Sequence, residues 1–102
     1  MAEVKVAQAS QVAPGTGTVV TVEGRAIALF NVGGTFYAIA NECTHVGGPL
    51  GKGRLEGTMV TCPWHGSQFD VTSGQVTKGP ARRPVAAYPV RVQGNDVFVA
   101  LD

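Results

Sequence analysis

Apolar and polar positions along this chain fall into short runs rather than a helical stripe. Residues 18–22 (TVVTV) and 25–32 (RAIALFNV) are rich in β-branched and apolar side chains, which predicts two strands. Glu23 and Gly24 between them predict a tight turn. Gly33 and Gly34 separate the second run from 35–40 (TFYAIA). Glycine accepts positive φ, so this pair predicts a two-residue hairpin loop. Near the C-terminal end, 88–92 (YPVRV) and 97–101 (VFVAL) bracket QGND. Tyr88, Val90 and Val92 alternate with Pro89, Arg91 and Gln93, the period of a half-buried strand. Pro89 has no N–H to give a sheet, which sets that strand at an edge or beside a bulge. No stretch keeps a 3.6-residue period over three turns, so an all-β chain is predicted.

The middle, from Asn41 to about Pro84, breaks the pattern. It is rich in glycine and proline, and its strand-like runs are short: MVTCP (59–63) and SQFDVTSGQV (67–76). It reads as a loop-rich insert of about 41–84 carried on a β base of 1–40 and 85–102. At 102 residues, the whole forms one domain.

Composition narrows the function. Formal net charge is +1 and only 15% of residues are charged. Lys and Arg are scattered, with Arg82 and Arg83 the one adjacent pair. No nucleic-acid or membrane partner is expected from such a surface. No apolar run has the length of a bilayer span, and the N-terminal MAEVKVAQAS lacks the basic-then-apolar form of a signal peptide. The expectation is a cytoplasmic protein, and in that compartment two cysteines favour metal or redox chemistry over a structural disulfide.

The chemistry-bearing residues are concentrated. The chain has two cysteines and two histidines, and all four sit in the insert. Cys43 and His45 are one residue apart; Cys62 and His65 are two apart. A lone cysteine is ordinarily a small buried hydrophobe, but two matched Cys/His pairs point to metal ligation. Two thiolates and two imidazoles suit tetrahedral zinc. The order Cys, His, Cys, His suits a binuclear centre better, because each loop then gives one ligand to each metal. Thiolates would hold the ferric iron that stays oxidised, and neutral imidazoles the iron that gains the electron.

With these residues in view, the chain resembles the Rieske proteins, whose [2Fe–2S] cluster has two Cys on one iron and two His on the other. The boxes CTHVGGPLGKG (43–53) and CPWHGSQFD (62–70) resemble the family's two cluster loops. TSGQVTKGPARRPV (72–85) resembles its following segment, with a third, proline-bearing loop at Gly79-Pro80 that covers the cluster. The resemblance implies the Rieske fold of small antiparallel sheets, with the cluster loops at one tip. It implies one cluster per chain, with Cys43 and Cys62 on one iron and the Nδ1 atoms of His45 and His65 on the other. Around them, Gly47, Gly48 and Gly66 would bring backbone N–H groups close to sulfur. Trp64 would pack as an apolar lid, and Pro80 would shield one side.

Two departures refine the expectation. High-potential members carry an extra cysteine in each loop and join them by a disulfide. Here those positions are Gly48 and Trp64, so this chain resembles the soluble ferredoxins that serve oxygenases. High-potential members also place a serine and a tyrosine hydroxyl on cluster sulfurs. Ser67 keeps the first, and Phe69 stands in place of the second. Rieske centres span roughly −150 to +300 mV, and the missing hydroxyl predicts a potential between the high-potential and the ferredoxin groups, or toward the low end.

The expected function is one-electron transfer from a flavin-dependent NAD(P)H reductase to a terminal oxygenase, through transient encounters of a monomer. With all four ligands committed, no Cys or His is left for catalysis of its own. The other readings are an accessory subunit of a larger redox enzyme, of the nitrite-reductase small-subunit kind, and a structural zinc module.

Overall fold

In this computed structural model, residues 2–42, 48–64, 66–79 and 81–101 are described. The predicted hairpins organise the base. Strands β2 (Thr16–Val22), β3 (Arg25–Val32) and β4 (Thr35–Ala40) run antiparallel, with Val22 opposite Arg25 and Val32 opposite Thr35. Both turns use positive φ: 51° at Glu23 and 79° at Gly24, then 59° at Gly33 and 98° at Gly34. These backbone values match the twist of the flanking strands, which is why the two-residue loops close.

Strand β9 (Ala87–Tyr88) pairs with β4 and completes a sheet of order β2-β3-β4-β9. A second sheet, of order β1-β11-β10, joins β1 (Ala2–Gln8), β11 (Asp96–Leu101) and β10 (Val90–Gln93). Pro89 lies between β9 and β10, the two edge strands, where the chain passes from one sheet to the other. Its carbonyl accepts from the Ala100 N–H at 3.0 Å. The edge position read from the proline is therefore correct. The alternation is less so, since Val92 is 43% exposed on a strand with β11 on only one side.

The third sheet, of order β5-β6-β7-β8, comes from the middle of the chain: Arg54–Glu56, Met59–Thr61, Gln68–Asp70 and Val76–Lys78. Residues 67–76 are not one strand. The Asp70 carboxylate accepts from the Thr72 N–H at 2.9 Å and the Thr72 hydroxyl at 2.6 Å, which folds 71–75 into a turn between β7 and β8. Strands β1 and β5 are additions to the predicted set. The register places Leu55, Val60, Phe69 and Val76 side by side; Val60 and Phe69 are buried and the other two pack against them. The adjacent row, Arg54, Thr61 and Gln68, belongs to the opposite face, as the alternation of a strand requires; Gln68 pairs with Lys78 across a register shift in β8.

Two cores lie on the two faces of the β2-β3-β4-β9 sheet. Ile27, Leu29, Phe36 and Ala38 face Val97, Val99 and Leu101. Ala28, Phe30 and Ile39 face Leu50, Val60, Cys62, Phe69, Val71, Ala81 and Val85. Strand β3 is covered on both sides, which explains why its sequence is continuously apolar rather than alternating.

Candidate metal centre

Cys62 is the predicted ligand that falls within the described residues; Cys43, His45 and His65 lie outside them, as do Gly47 and Pro80. Cys62 directly follows β6, and Gln68 opens β7. The connection between them closes on itself. The Cys62 N–H donates to the Ser67 carbonyl at 2.7 Å, and the Gly66 N–H donates to the Cys62 carbonyl at 3.1 Å. Gly66 has φ +78°, open to glycine and strained for other residues. The second loop is thus held to the β6–β7 hairpin by its own backbone. Cys62 carries a free thiol, 1% exposed, within the core that contains Val60, Phe69 and Ala81.

The first loop is gathered at its base. Glu42 and Pro49 form an isolated antiparallel bridge. The Leu50 N–H donates to the Asn41 carbonyl at 2.7 Å, and the Gly51 N–H to the Asn41 side-chain oxygen at 2.8 Å. Asn41 itself is fixed to the base, its N–H donating to the Ala26 carbonyl at 3.1 Å. This residue was not singled out from the sequence. An asparagine at the end of a strand carries no local sign that it will fasten a turn ten residues on.

Gly48 brings this loop against the second. A Cβ at position 48 would stand 2.6 Å from the Cys62 Sγ and 3.3 Å from Cγ and Cδ2 of Trp64. The absence of a side chain at 48 is therefore what leaves room for the Cys62 sulfur. The Trp64 ring lies beside Gly48, and the residue is 58% exposed.

The third loop is tied down at three points. The Ala81 N–H donates to the Ser67 Oγ at 3.0 Å. The Val85 N–H donates to the Gly74 carbonyl at 2.9 Å, and the Ala86 carbonyl accepts from the Ala40 N–H at 2.8 Å. Gly74 has φ +80°, and a Cβ there would collide with the Val85 carbonyl oxygen. Gly74 and Val85 are a second pair that sequence reading missed, because their meeting depends on the third loop folding back over the β7–β8 turn. Ser67 is fully buried; with its oxygen accepting from Ala81, its hydroxyl hydrogen is the remaining group it has to give. Phe69, in the position of the family's tyrosine, is also fully buried and offers no hydroxyl.

These residues fit a sulfur-rich iron centre. A thiolate at Cys62 would be costly to bury alone, and becomes tolerable with a bound cation and nearby donors. The side-chain-free edge at Gly48 and the Ser67 hydroxyl are of the right kind.

Comparison with known proteins agrees. The family model for the Rieske [2Fe-2S] domain matches residues 2–89. The chain is 40% identical over 82 residues to the ferredoxin component of a naphthalene 1,2-dioxygenase system from Pseudomonas aeruginosa, covering 80% of this chain and 79% of that one. Among solved structures, the ferredoxin of carbazole 1,9a-dioxygenase from Nocardioides aromaticivorans IC177 superposes with TM-score 0.95 at 35% identity over all of both chains. A complex of reduced oxygenase and oxidised ferredoxin in carbazole 1,9a-dioxygenase matches with TM-score 0.90 at 36% identity, over 96% of this chain and 92% of that one. The all-β architecture, the buried thiol under a close glycine and these matches lead to one conclusion: the chain belongs to the Rieske [2Fe-2S] family.

Proposed function

We propose that this protein is the one-electron carrier of an oxygenase system, taking an electron from a flavin-dependent NAD(P)H reductase and giving it to a terminal oxygenase. The observation that carries the reading is the buried Cys62 thiol, held by a closed hairpin loop and approached by Gly48, in a chain of this family. The relative named a dioxygenase ferredoxin component and the ferredoxin matched in complex with its oxygenase favour a carrier over an accessory subunit of a larger enzyme.

When bound, a [2Fe–2S] cluster supplies a reversible one-electron couple. Cys43 and Cys62 would hold one iron, and His45 and His65 the other. Four Cys and His side chains in the whole chain suffice for one such cluster. Residues 41–84 form the cluster-binding subdomain, and the base carries it. Ser67 would donate its hydroxyl hydrogen to sulfur while its oxygen anchors the third loop.

The carrier works as a cytoplasmic monomer. Trp64 and Val92 are the large apolar side chains exposed among the described residues, too few for the apolar patch of a permanent interface. No helix of the described residues is long and apolar enough to cross a membrane.

The deciding experiment is electron paramagnetic resonance of the dithionite-reduced protein, together with iron and acid-labile sulfide counts. The expected result is two iron and two sulfide per chain, with the signal of a mixed Cys/His cluster. A single divalent ion without sulfide refutes the reading. Light scattering of the purified holoprotein should give the mass of one chain.

A further inference from the structure

The family's high-potential members tie their two cluster loops with a disulfide, and Gly48 and Trp64 occupy those positions here. We propose that the Trp64 indole, resting on Gly48, is a non-covalent clasp that holds the second loop to the first and slows loss of the metal centre. The proposal rests on the cluster reading above.

Three observations carry it. First, the ring stands directly over the side-chain-free face of the glycine: a Cβ at 48 would meet Cγ and Cδ2 of Trp64 at 3.3 Å. Second, a Cβ built at the same position would stand 2.6 Å from the Cys62 Sγ, so the glycine leaves room that indole and ligand sulfur share. Third, Gly48 is buried although it lies in a loop, and Trp64 is 58% exposed. A residue of such apolar bulk would ordinarily be turned into a core. Here the ring edge at Cγ and Cδ2 stands beside Gly48, at the seam between the loops. Among the described residues, the backbone bonds of the second loop, Cys62 to Ser67 and Gly66 to Cys62, stay within that loop, and those at the base of the first loop run from Leu50 and Gly51 to Asn41.

Physically, the clasp works by area and exclusion. Opening the seam would expose the packed side of the indole together with the glycine backbone and the sulfur beneath it. Removal of apolar surface from water therefore resists the first opening movement that lets a chelator or water reach the metal. Gly48 is required because a methyl there would separate the ring from the loop and press on the sulfur.

The test is the rate at which excess chelator bleaches the visible absorbance of the oxidised holoprotein, after iron and sulfide counts have established the cluster. If those counts fail, the cluster reading fails and the clasp with it. If they hold, Trp64→Ala should bleach about tenfold faster, a factor expected from losing one packed aromatic face. Trp64→Phe should recover most of the wild-type rate. Val92→Ala, which removes the other exposed apolar side chain, should leave the rate unchanged. Gly48→Ala should also accelerate loss, and combined with Trp64→Ala should add little to it, because both break one contact. Urea unfolding of the base, followed by far-ultraviolet circular dichroism, should keep its midpoint in Trp64→Ala. Wild-type bleaching in Trp64→Ala overturns the proposal. So does a fall in the urea midpoint proportionate to the faster bleaching, which would make Trp64 a general stabiliser rather than a clasp.

Discussion

Ser67 is the residue with most work assigned to few atoms. Its oxygen accepts from the Ala81 N–H at 3.0 Å, which orders the third loop, and accepting that bond polarises its own O–H as a donor. Ser67→Ala should therefore act twice. The midpoint potential should fall, because a hydrogen bond to a charged acceptor favours the more negative, reduced state. At about 1.5–3 kcal/mol for such a bond and 59 mV per tenfold for one electron, the fall is up to about 60–130 mV. The Ala81 N–H, buried without its acceptor, should also lose protection from hydrogen exchange. Phe69→Tyr tests the complementary position. Phe69 is fully buried in register with Val60 and Val76, so the new hydroxyl must find an acceptor or destabilise the core. The expected result is a higher midpoint by protein-film voltammetry. A potential unmoved by both substitutions would remove hydrogen bonding to sulfur from the account.

Elements meet where single residues join loops to the sheets, and two of these joints can be measured. Gly74→Ala places a methyl against the Val85 carbonyl oxygen at φ +80°. It should cost about 2–3 kcal/mol in urea unfolding, the usual penalty for a non-glycine residue in that region with a backbone clash added. Asn41→Ala leaves the Gly51 N–H without its acceptor at 2.8 Å and should cost about 1–3 kcal/mol. If either variant unfolds at the wild-type urea concentration, that joint does not hold the loop. Neither joint was legible in the sequence, because each depends on segments meeting after the chain has turned back. What was legible is local. Paired turn residues at 23–24 and 33–34 announce their hairpins, and clustered Cys and His announce a metal. Strand β1 was missed although Glu3 and Lys5 are exposed and Val4 and Val6 half-buried. Its AEVKVAQ sets only two valines against two charged residues, a faint period-2 signal. Strand β5, three residues long, is too brief to show a period. The break at 71–75 had a signal, D-V-T-S-G, whose aspartate and threonine build the turn.

For the molecule as a whole, the two cores predict what happens when iron is removed. The core that joins the first two sheets is built from the base: Val22, Ile27, Leu29, Val97 and Val99 among others, with no residue of 41–84. The other core is mixed, because Ala28, Phe30, Ile39 and Val85 of the base carry Leu50, Val60, Cys62, Phe69 and Ala81 of the insert. Loss of the cluster takes away the ligand bonds proposed to link the first and second loops. The base core is untouched by this, and its strands keep their ladders from β1 to β11 and from β2 to β4. Among its described residues, the insert keeps short strands, its share of the mixed core and the joints at Asn41, Ser67 and Gly74. Local opening free energy follows buried apolar contact and ladder length. The apoprotein should therefore keep the exchange protection of Leu29, Val97 and Val99 within about threefold, while amides of Leu50, Gly51, Cys62, Gly66 and Ala81 lose at least about tenfold. Native-state hydrogen exchange of holoprotein and apoprotein, compared residue by residue, reads this directly. A uniform loss across both groups would mean that strand β3, buried on both faces, couples the two cores into one cooperative unit. The insert would then not be a separable subdomain, and the metal would stabilise the base as much as the loops that hold it.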